Sequence, residues 1–249
     1  MTGAREAHRF RVAEAMRSPS RAPRNLAELL FVPIADTPRR VVRSLPRSES
    51  RRARRIKDAA SRAQFVAARY ALRQLLSKRL GVQPSALEIL ARPGRAPELL
   101  HSRWRFSLSH SGSLCMIGLS RARRIGVDLE AVREIPDVQT FAGRYLHPTE
   151  RDWLSSRTAT RRSLEFLRIW VRKEAVTKAA GSGLAMRLDN WHALPPQGNQ
   201  VRFVVVDGIG QRWQVQDLRC GSGFVAAVAV STQRTSPQGL STSVVSSPM

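Results

Sequence analysis

The chain is short of acid, of lysine, of aromatic rings and of cysteine. Its 249 residues hold 19 Asp and Glu against 42 Lys and Arg, a formal charge of +23 at pH 7. Lysine occurs only at Lys57, Lys78, Lys173 and Lys178, so arginine carries the excess. Such a surface attracts polyanions: nucleic acid, phosphate-rich cofactors, anionic membranes or acidic proteins. Arginine suits bidentate phosphate contacts better than lysine does, although an arginine-rich proteome leaves the same bias without any function. Aromatic residues make up 6% of the chain, and the basic run Arg51 to Lys57 contains none. A nucleic-acid binder of the stacking kind interleaves rings with its cations, so nucleic acid is not the expected partner. Cys115 and Cys220 lie far apart in apolar, strand-like runs and read as buried free thiols rather than a disulfide or metal site. No signal peptide is visible, and no apolar run approaches the roughly 18 residues of a membrane span. A cytoplasmic protein without a membrane partner is the expectation.

What is present is organised in two cycles. Residues 1–24 are basic and rich in Ser, Ala and Pro and read as a mobile leader; 232–249 is a Ser, Thr, Pro and Gly tail that reads as disordered. Between them, Leu29 to Ile34 looks like a strand, and Leu45 to Lys57 is dense in arginine. After Asp58, apolar residues recur at Phe65, Ala68, Leu72, Leu75, Leu76 and Leu80 before Gly81, an amphipathic helix with a glycine stop. Short strand-like pieces follow at Leu87–Leu90, Trp104–Leu108, Cys115–Ser120 and Ile125–Leu129. Asp137 to Tyr145 looks helical, His147-Pro148-Thr149-Glu150 marks another helix start, and Ser163 to Ala180 is a second long helix stopped by glycine. Strands close the body at Val201–Val206, Trp213–Leu218 and Phe224–Val230. The order of strand, long helix and several strands occurs twice, without an internal sequence repeat. The expected fold is therefore α+β: two similar halves, 25–125 and 126–231, each a long helix on a small, mostly antiparallel sheet.

Three segments carry chemistry, and each alone has an ordinary alternative. In a strand, Asp128 and Glu130 point to one face, where two carboxylates repel unless a cation sits between them. A hard ion such as Mg²⁺ would suit them, as would surface pairing with Arg121, Arg123 and Arg124. Trp170, Glu174 and Lys178 share a helix face, and Glu before Lys at this spacing is also a common surface pair. Ser109-His110-Ser111, after a strand-like run, could hydrogen-bond phosphate or simply cap a turn. Arg92, Arg95, Arg62 and Arg69 are single basic residues that read as solvated charges unless context gathers them.

The combination is more specific than its parts. Phe106-Ser107-Leu108-Ser109-His110-Ser111, Gly126-Val127-Asp128-Leu129-Glu130, Trp170 to Lys178 and Gly181-Ser182-Gly183-Leu184 follow one another in the order and spacing of the two-halved phosphopantetheinyl transferases, the type that serves surfactin synthetase and related assembly lines. The chain resembles that family from about Leu26 to Ser231. The resemblance implies a pseudo-two-fold arrangement of the halves and a Mg²⁺-dependent enzyme. The reaction it implies moves the 4′-phosphopantetheine arm of coenzyme A to a serine of an apo acyl or peptidyl carrier protein, releasing adenosine 3′,5′-bisphosphate. By position, Asp128, Glu130 and Glu174 would hold Mg²⁺. His110 would contact a coenzyme A phosphate with Ser109 and Arg95 beside it, and Arg62 would hold phosphate. Lys178 would neutralise the pyrophosphate, and Glu174 would serve as base, directly or through a water. The carrier partner would be acidic and the enzyme a monomer. Two departures stand out: Ala96 separates Arg95 from Pro97 in the family's Gly-basic-Pro turn, and Ile56 stands where the family often has an aromatic residue.

Overall fold

The computed structural model describes residues 27–34, 41, 44–92, 96–182, 186–194, 202–206 and 211–233, with only the backbone described at 202, 203, 205, 206 and 211. The leader, most of the tail, Arg95 and the Gly183-Leu184 pair lie outside these residues. In chain order the elements are β1 (Glu28–Pro33), α1 (Arg47–Arg55), α2 (Ala59–Leu80), a 3₁₀ turn (Pro84–Ala86), β2 (Ile89–Leu90), β3 (Glu98–Leu99), β4 (Trp104–Ser111), β5 (Leu114–Arg121) and β6 (Ile125–Ala131). There follow α3 (Val138–Tyr145), α4 (Pro148–Ser155), α5 (Ala159–Ala180), β7 (Arg202–Val206), β8 (Gln211–Leu218) and β9 (Phe224–Ser231).

Local chemistry explains the helix ends. The Asp58 carboxylate accepts the Ser61 N–H at 2.6 Å and starts α2, while Gly81 ends it at φ 69°; a left-handed cap is where glycine avoids a Cβ clash. His147 and Glu150 form a reciprocal capping box at α4, with Pro148 at its first position. The helix α5 begins at Ala159, one turn before the Ser163 expected from sequence. Ser163 is not its cap: the Ser163 hydroxyl accepts the Ile135 N–H at 3.0 Å and ties down the preceding loop instead.

Among the described residues all strand pairing is antiparallel. One sheet has the order β1-β5-β4, the other β6-β9-β8-β7, and β2 and β3 form a small separate pair. In both main sheets the first strand lies beside the last. Strand alternation sorts the side chains into layers. Leu72 and Leu76 of α2 pack on Phe106, Cys115, Ile117 and Leu119. The opposite face of that sheet, with Phe31 and Met116, meets Ile125, Val127, Leu129, Ala226 and Val228 of the second sheet. The outer face of the second sheet, with Val215, Ala227 and Ala229, packs on Val171, Ala175 and Ala179 of α5. The order of layers is helix, sheet, sheet, helix, a two-sheet variation on packing around shared apolar faces.

Strand β6 is held tightly from both sides. A Cβ at Gly126 would lie 1.9 Å from the Ala175 carbonyl oxygen, and one at Gly118 would lie 2.6 Å from Val127 Cγ1. Both separations are far inside van der Waals contact. The two glycines thus let α5 approach β6 on one face and let β6 nest against β5 on the other.

Candidate active site

β4 and β6 are edge strands of different sheets, and they meet along their edges. Ser107, Ser109 and Ser111 share one face of β4. Their hydroxyl oxygens accept the N–H groups of Val127, Leu129 and Ala131 at 3.1, 3.2 and 3.0 Å. Three side-chain rungs thus stand where a backbone ladder would run. The sequence placed Ser109 to Ser111 in a turn; the strand continues through Ser111 because His110 pairs with Cys115 and Ser111 with Leu114 across the hairpin.

A cleft of about 360 Å³ opens at this junction. Its walls are Leu108, Ser109 and His110 from β4, Asp128 and Glu130 from β6, Lys178 from α5, and Phe65, Ala68 and Arg69 from α2, with Arg52 and Pro97 at the border. Asp128 is buried. Its Oδ1 accepts the Ser109 hydroxyl at 2.8 Å and the Lys178 ammonium at 2.6 Å. Its Oδ2 is buried with no hydrogen-bond partner among the described residues. The Lys178 ammonium also donates to Ser109 Oγ at 3.2 Å. Glu130 is half-buried: its Oε2 accepts the Ser111 hydroxyl at 2.9 Å and faces exposed Arg133 at 3.2 Å.

Electrostatics gathers the acidic groups further. Burial pushes the Asp128 carboxyl up, with Glu130 adding to the rise, while the Lys178 ammonium and the two hydrogen bonds oppose it. Glu174 is pushed up by burial first and then by the Asp128 carboxylate; Glu130 adds to this and Lys178 opposes it. These are three carboxylates sensing one another. His110 stands exposed at the mouth of the cleft, yet desolvation by the surrounding walls, and then the Lys178 ammonium, hold its imidazole below the ordinary value. The imidazole therefore gives up its proton more readily than an ordinary one.

The structure brings Asp128, Glu130, Lys178, Ser109 and His110 to one cleft; Glu174 is not in its wall but feels the charges of Asp128, Lys178 and Glu130, and Lys178 does not take a surface role. Lys178 gives its ion pair to Asp128, and Arg123 and Arg124 turn to the carbonyls of Ser231, Thr232 and Ala180. Arg62 is not in the cleft wall. It lies two turns, about 10 Å of helix, before Arg69, and its guanidinium donates to the Ile56 carbonyl at 3.1 Å. The arginine that α2 does bring to the cleft is Arg69, buried, with Nη1 lacking a hydrogen-bond partner and the Phe65 ring 5.6 Å away. The signal for it is in the sequence: Phe65, Ala68, Arg69 and Leu72 follow the i, i+3, i+4, i+7 stripe, so this cation rides on the apolar face. Arg52, 5.3 Å from the same ring, carries no such signal. Both thiols are free; Cys115 is buried as expected, whereas Cys220 is only half-buried, and burial pushes them up to about 12 and about 11.

Oxygen ligands, the orphaned Asp128 Oδ2 and the mutual repulsion of the carboxylates fit a hard divalent cation. Lys178 now satisfies part of that demand, and among the described residues no three acidic, imidazole or thiol groups already form a ready coordination cage.

Comparison with known proteins gives the family. Residues 124–229 match the 4′-phosphopantetheinyl transferase superfamily. The 4′-phosphopantetheinyl transferase HetI of Nostoc sp. is 32% identical over 192 residues, covering 76% of this chain and 79% of that protein. A 4′-phosphopantetheinyl transferase of Bacillus subtilis is 29% identical over 103 residues, 41% of this chain and 45% of its own length. Among solved structures, the holo-[acyl-carrier-protein] synthase of Thermotoga maritima gives a TM-score of 0.30 at 23% identity, covering 44% of this chain and 63% of that one, too distant to carry weight. The chain belongs to the 4′-phosphopantetheinyl transferase superfamily. It is a transferase that moves phosphopantetheine from coenzyme A to a carrier protein. No helix among the described residues is long and apolar enough to cross a membrane.

Proposed function

We propose that the cleft between β4 and β6 holds the coenzyme A pyrophosphate together with Mg²⁺, and that an acidic apo carrier protein presents its serine at the cleft mouth. The observation that carries this is the buried, partnerless Asp128 Oδ2 in a cleft that Glu130 also lines, with Glu174 near enough to feel both carboxylates. Asp128, Glu130 and Glu174 would hold the metal, which supplies charge neutralisation to the pyrophosphate when bound. His110 and Ser109 line the coenzyme side, with Arg95 beside them by the family resemblance and buried Arg69 adding a cation on the α2 side. Lys178, already among these groups, neutralises charge on the pyrophosphate as the bond to the leaving group lengthens.

The chemistry is one substitution at phosphorus. The carrier serine oxygen forms a bond to the phosphorus that bears the pantetheine arm, and the bond from that phosphorus to adenosine 3′,5′-bisphosphate breaks. The serine proton goes to Glu174, directly or through a water. Phosphoryl transfer of this kind asks the protein mainly for alignment and for counter-charge. The net charge of +23 would steer an acidic carrier toward the cleft.

Two halves, 25–125 and 126–231, related by a pseudo-two-fold, explain why the cleft forms where it does. In support, each half places its first strand beside its last and covers the sheet with a helix of 22 residues ending in a left-handed glycine. The edge strands β4 and β6 belong to different halves, so the site is built at their joint. The deciding experiment is the intact mass of an apo carrier protein after incubation with this enzyme, coenzyme A and Mg²⁺. A gain of about 340 Da, the phosphopantetheine adduct of the transfer above, lost with EDTA, supports the proposal. Transfer undiminished by EDTA would remove the metal from it.

A further inference from the structure

We infer that Ser109 and Ser111 are positioning residues that aim Asp128 and Glu130, and that Ser107 is the same structural device without that task. The inference rests on the reading of Asp128 and Glu130 as metal-holding carboxylates.

The argument is one of hydrogen-bond capacity. A serine hydroxyl has one proton to donate and two lone pairs to accept with. All three serines accept an outward N–H of β6 at 3.0–3.2 Å, so each helps to join the sheets. The protons of two of them have a second use. Ser109 donates to Asp128 Oδ1 at 2.8 Å, and Ser111 donates to Glu130 Oε2 at 2.9 Å. Leu129 and Ala131 are preceded by Asp128 and Glu130, whereas Val127 is preceded by Gly126, which has no side chain for the Ser107 hydroxyl to reach, so Ser107 secures backbone.

Capacity also limits what Ser109 can do besides. Its proton is on Asp128, and its lone pairs take the Leu129 N–H and the Lys178 ammonium. In this arrangement its hydrogen-bonding capacity is filled. Ser111 retains one lone pair and no proton, which a phosphate anion cannot use. Both hydroxyl protons are thus held by carboxylates. For Glu130 the orientation is a contest: Ser111 draws the carboxylate inward, while Arg133, 59% exposed, offers an outward partner at 3.2 Å. Without the Ser111 proton, Glu130 turns toward Arg133 and away from Asp128. Groups that orient metal ligands in this way typically change affinity by about 10–100-fold when removed.

The test is Mn²⁺ binding to the full-length protein with coenzyme A present, followed by the electron paramagnetic resonance signal of free Mn²⁺. Ser111→Ala and Ser109→Ala should each weaken binding by about 10-fold and raise by a similar factor the Mg²⁺ concentration giving half-maximal transfer, with the KM for the carrier unchanged. Ser111→Thr, which keeps the hydroxyl and suits a strand, should restore Mn²⁺ affinity. Ser107→Ala should speed hydrogen exchange at the Val127 amide yet leave Mn²⁺ affinity as in the parent. Equal weakening by Ser107→Ala and Ser111→Ala would overturn the inference, because the rungs would then serve only to join the sheets. So would normal Mn²⁺ affinity in Ser111→Ala while Glu130→Gln loses it. If neither Glu130→Gln nor Asp128→Asn weakens Mn²⁺ binding, the metal reading itself fails and takes this inference with it.

Discussion

Two lysines five residues apart on α5 form ion pairs of opposite character. Lys173 and Glu150 are both fully buried, 2.8 Å apart. The Lys173 ammonium also donates to the carbonyls of Leu188 and Trp191 at 2.7 and 2.6 Å, and lies 4.3 Å from the Trp191 ring. Glu150 in turn accepts the N–H groups of His147 and Ala193 at 2.9 and 2.6 Å. Every polar need of that pair is met. Lys178 is 30% exposed and its partner Asp128 keeps one oxygen without a bond. The first pair locks the 186–194 segment and the start of α4 against α5. The second leaves a demand that only something from outside can meet. A closed pair is structural; an open one, facing a cleft, marks chemistry.

Removing the carboxylate that senses the open pair should cost activity first. Glu174→Ala should lower transfer by roughly 10³-fold or more, the scale of a lost group that acts on transition-state charge, with the circular dichroism spectrum unchanged. Parent-like turnover in that variant would remove Glu174 from the site. Breaking the closed pair should cost stability instead. Lys173→Met leaves Glu150 buried without a cation and should lower unfolding free energy by about 3–5 kcal/mol, measured by urea denaturation. The surviving folded fraction should show nearly the parent kcat. A large drop in kcat at parent stability would erase the distinction between the two lysines.

The comparison sharpens with pH. Asp128 and Glu174 have carboxyls raised above their ordinary values, so the folded, metal-free protein binds more protons than the unfolded chain in the window above those ordinary values. Its stability should therefore fall as pH rises from the ordinary carboxylate range through the raised values. Melting temperatures in EDTA between pH 4 and 8, compared with the same series in Mg²⁺ and coenzyme A, read this directly. Glu174→Gln removes part of the slope and should raise the EDTA melting point at pH 7 by about 2–4 °C, equivalent to about 1 kcal/mol for a chain of this size; an unchanged slope would separate Glu174 from Asp128. The smallest effect is expected at Arg133→Ala. This exposed partner of Glu130 should be worth no more than about 0.5 kcal/mol by denaturation.

Much of this was legible in the sequence because periodicity and end signals agreed. Asp58 and Gly81 bound α2, and the Asp128, Glu130 alternation put both carboxylates on one face. The serine rungs were not legible, since Ser107, Ser109 and Ser111 show only that three hydroxyls share a face, not that another sheet's edge lies opposite. Lys173 was hidden for a similar reason. Only the placement of Glu150 and Trp191, which come from other segments, makes it a core anchor. Arg62 and Arg69 looked alike as single cations; the stripe through Phe65 and Leu72 distinguishes them, while the turn of Arg62 back onto Ile56 depends on the local path of the chain into α2.

The hydroxyl rungs have one more consequence. An edge strand with a free row of N–H groups is a template on which any extended segment, from the same chain or another, can add itself. On β6 the N–H groups of Val127, Leu129 and Ala131 are already taken by Ser107, Ser109 and Ser111. The strand that carries Asp128 and Glu130 can thus border an open cleft without recruiting stray strands.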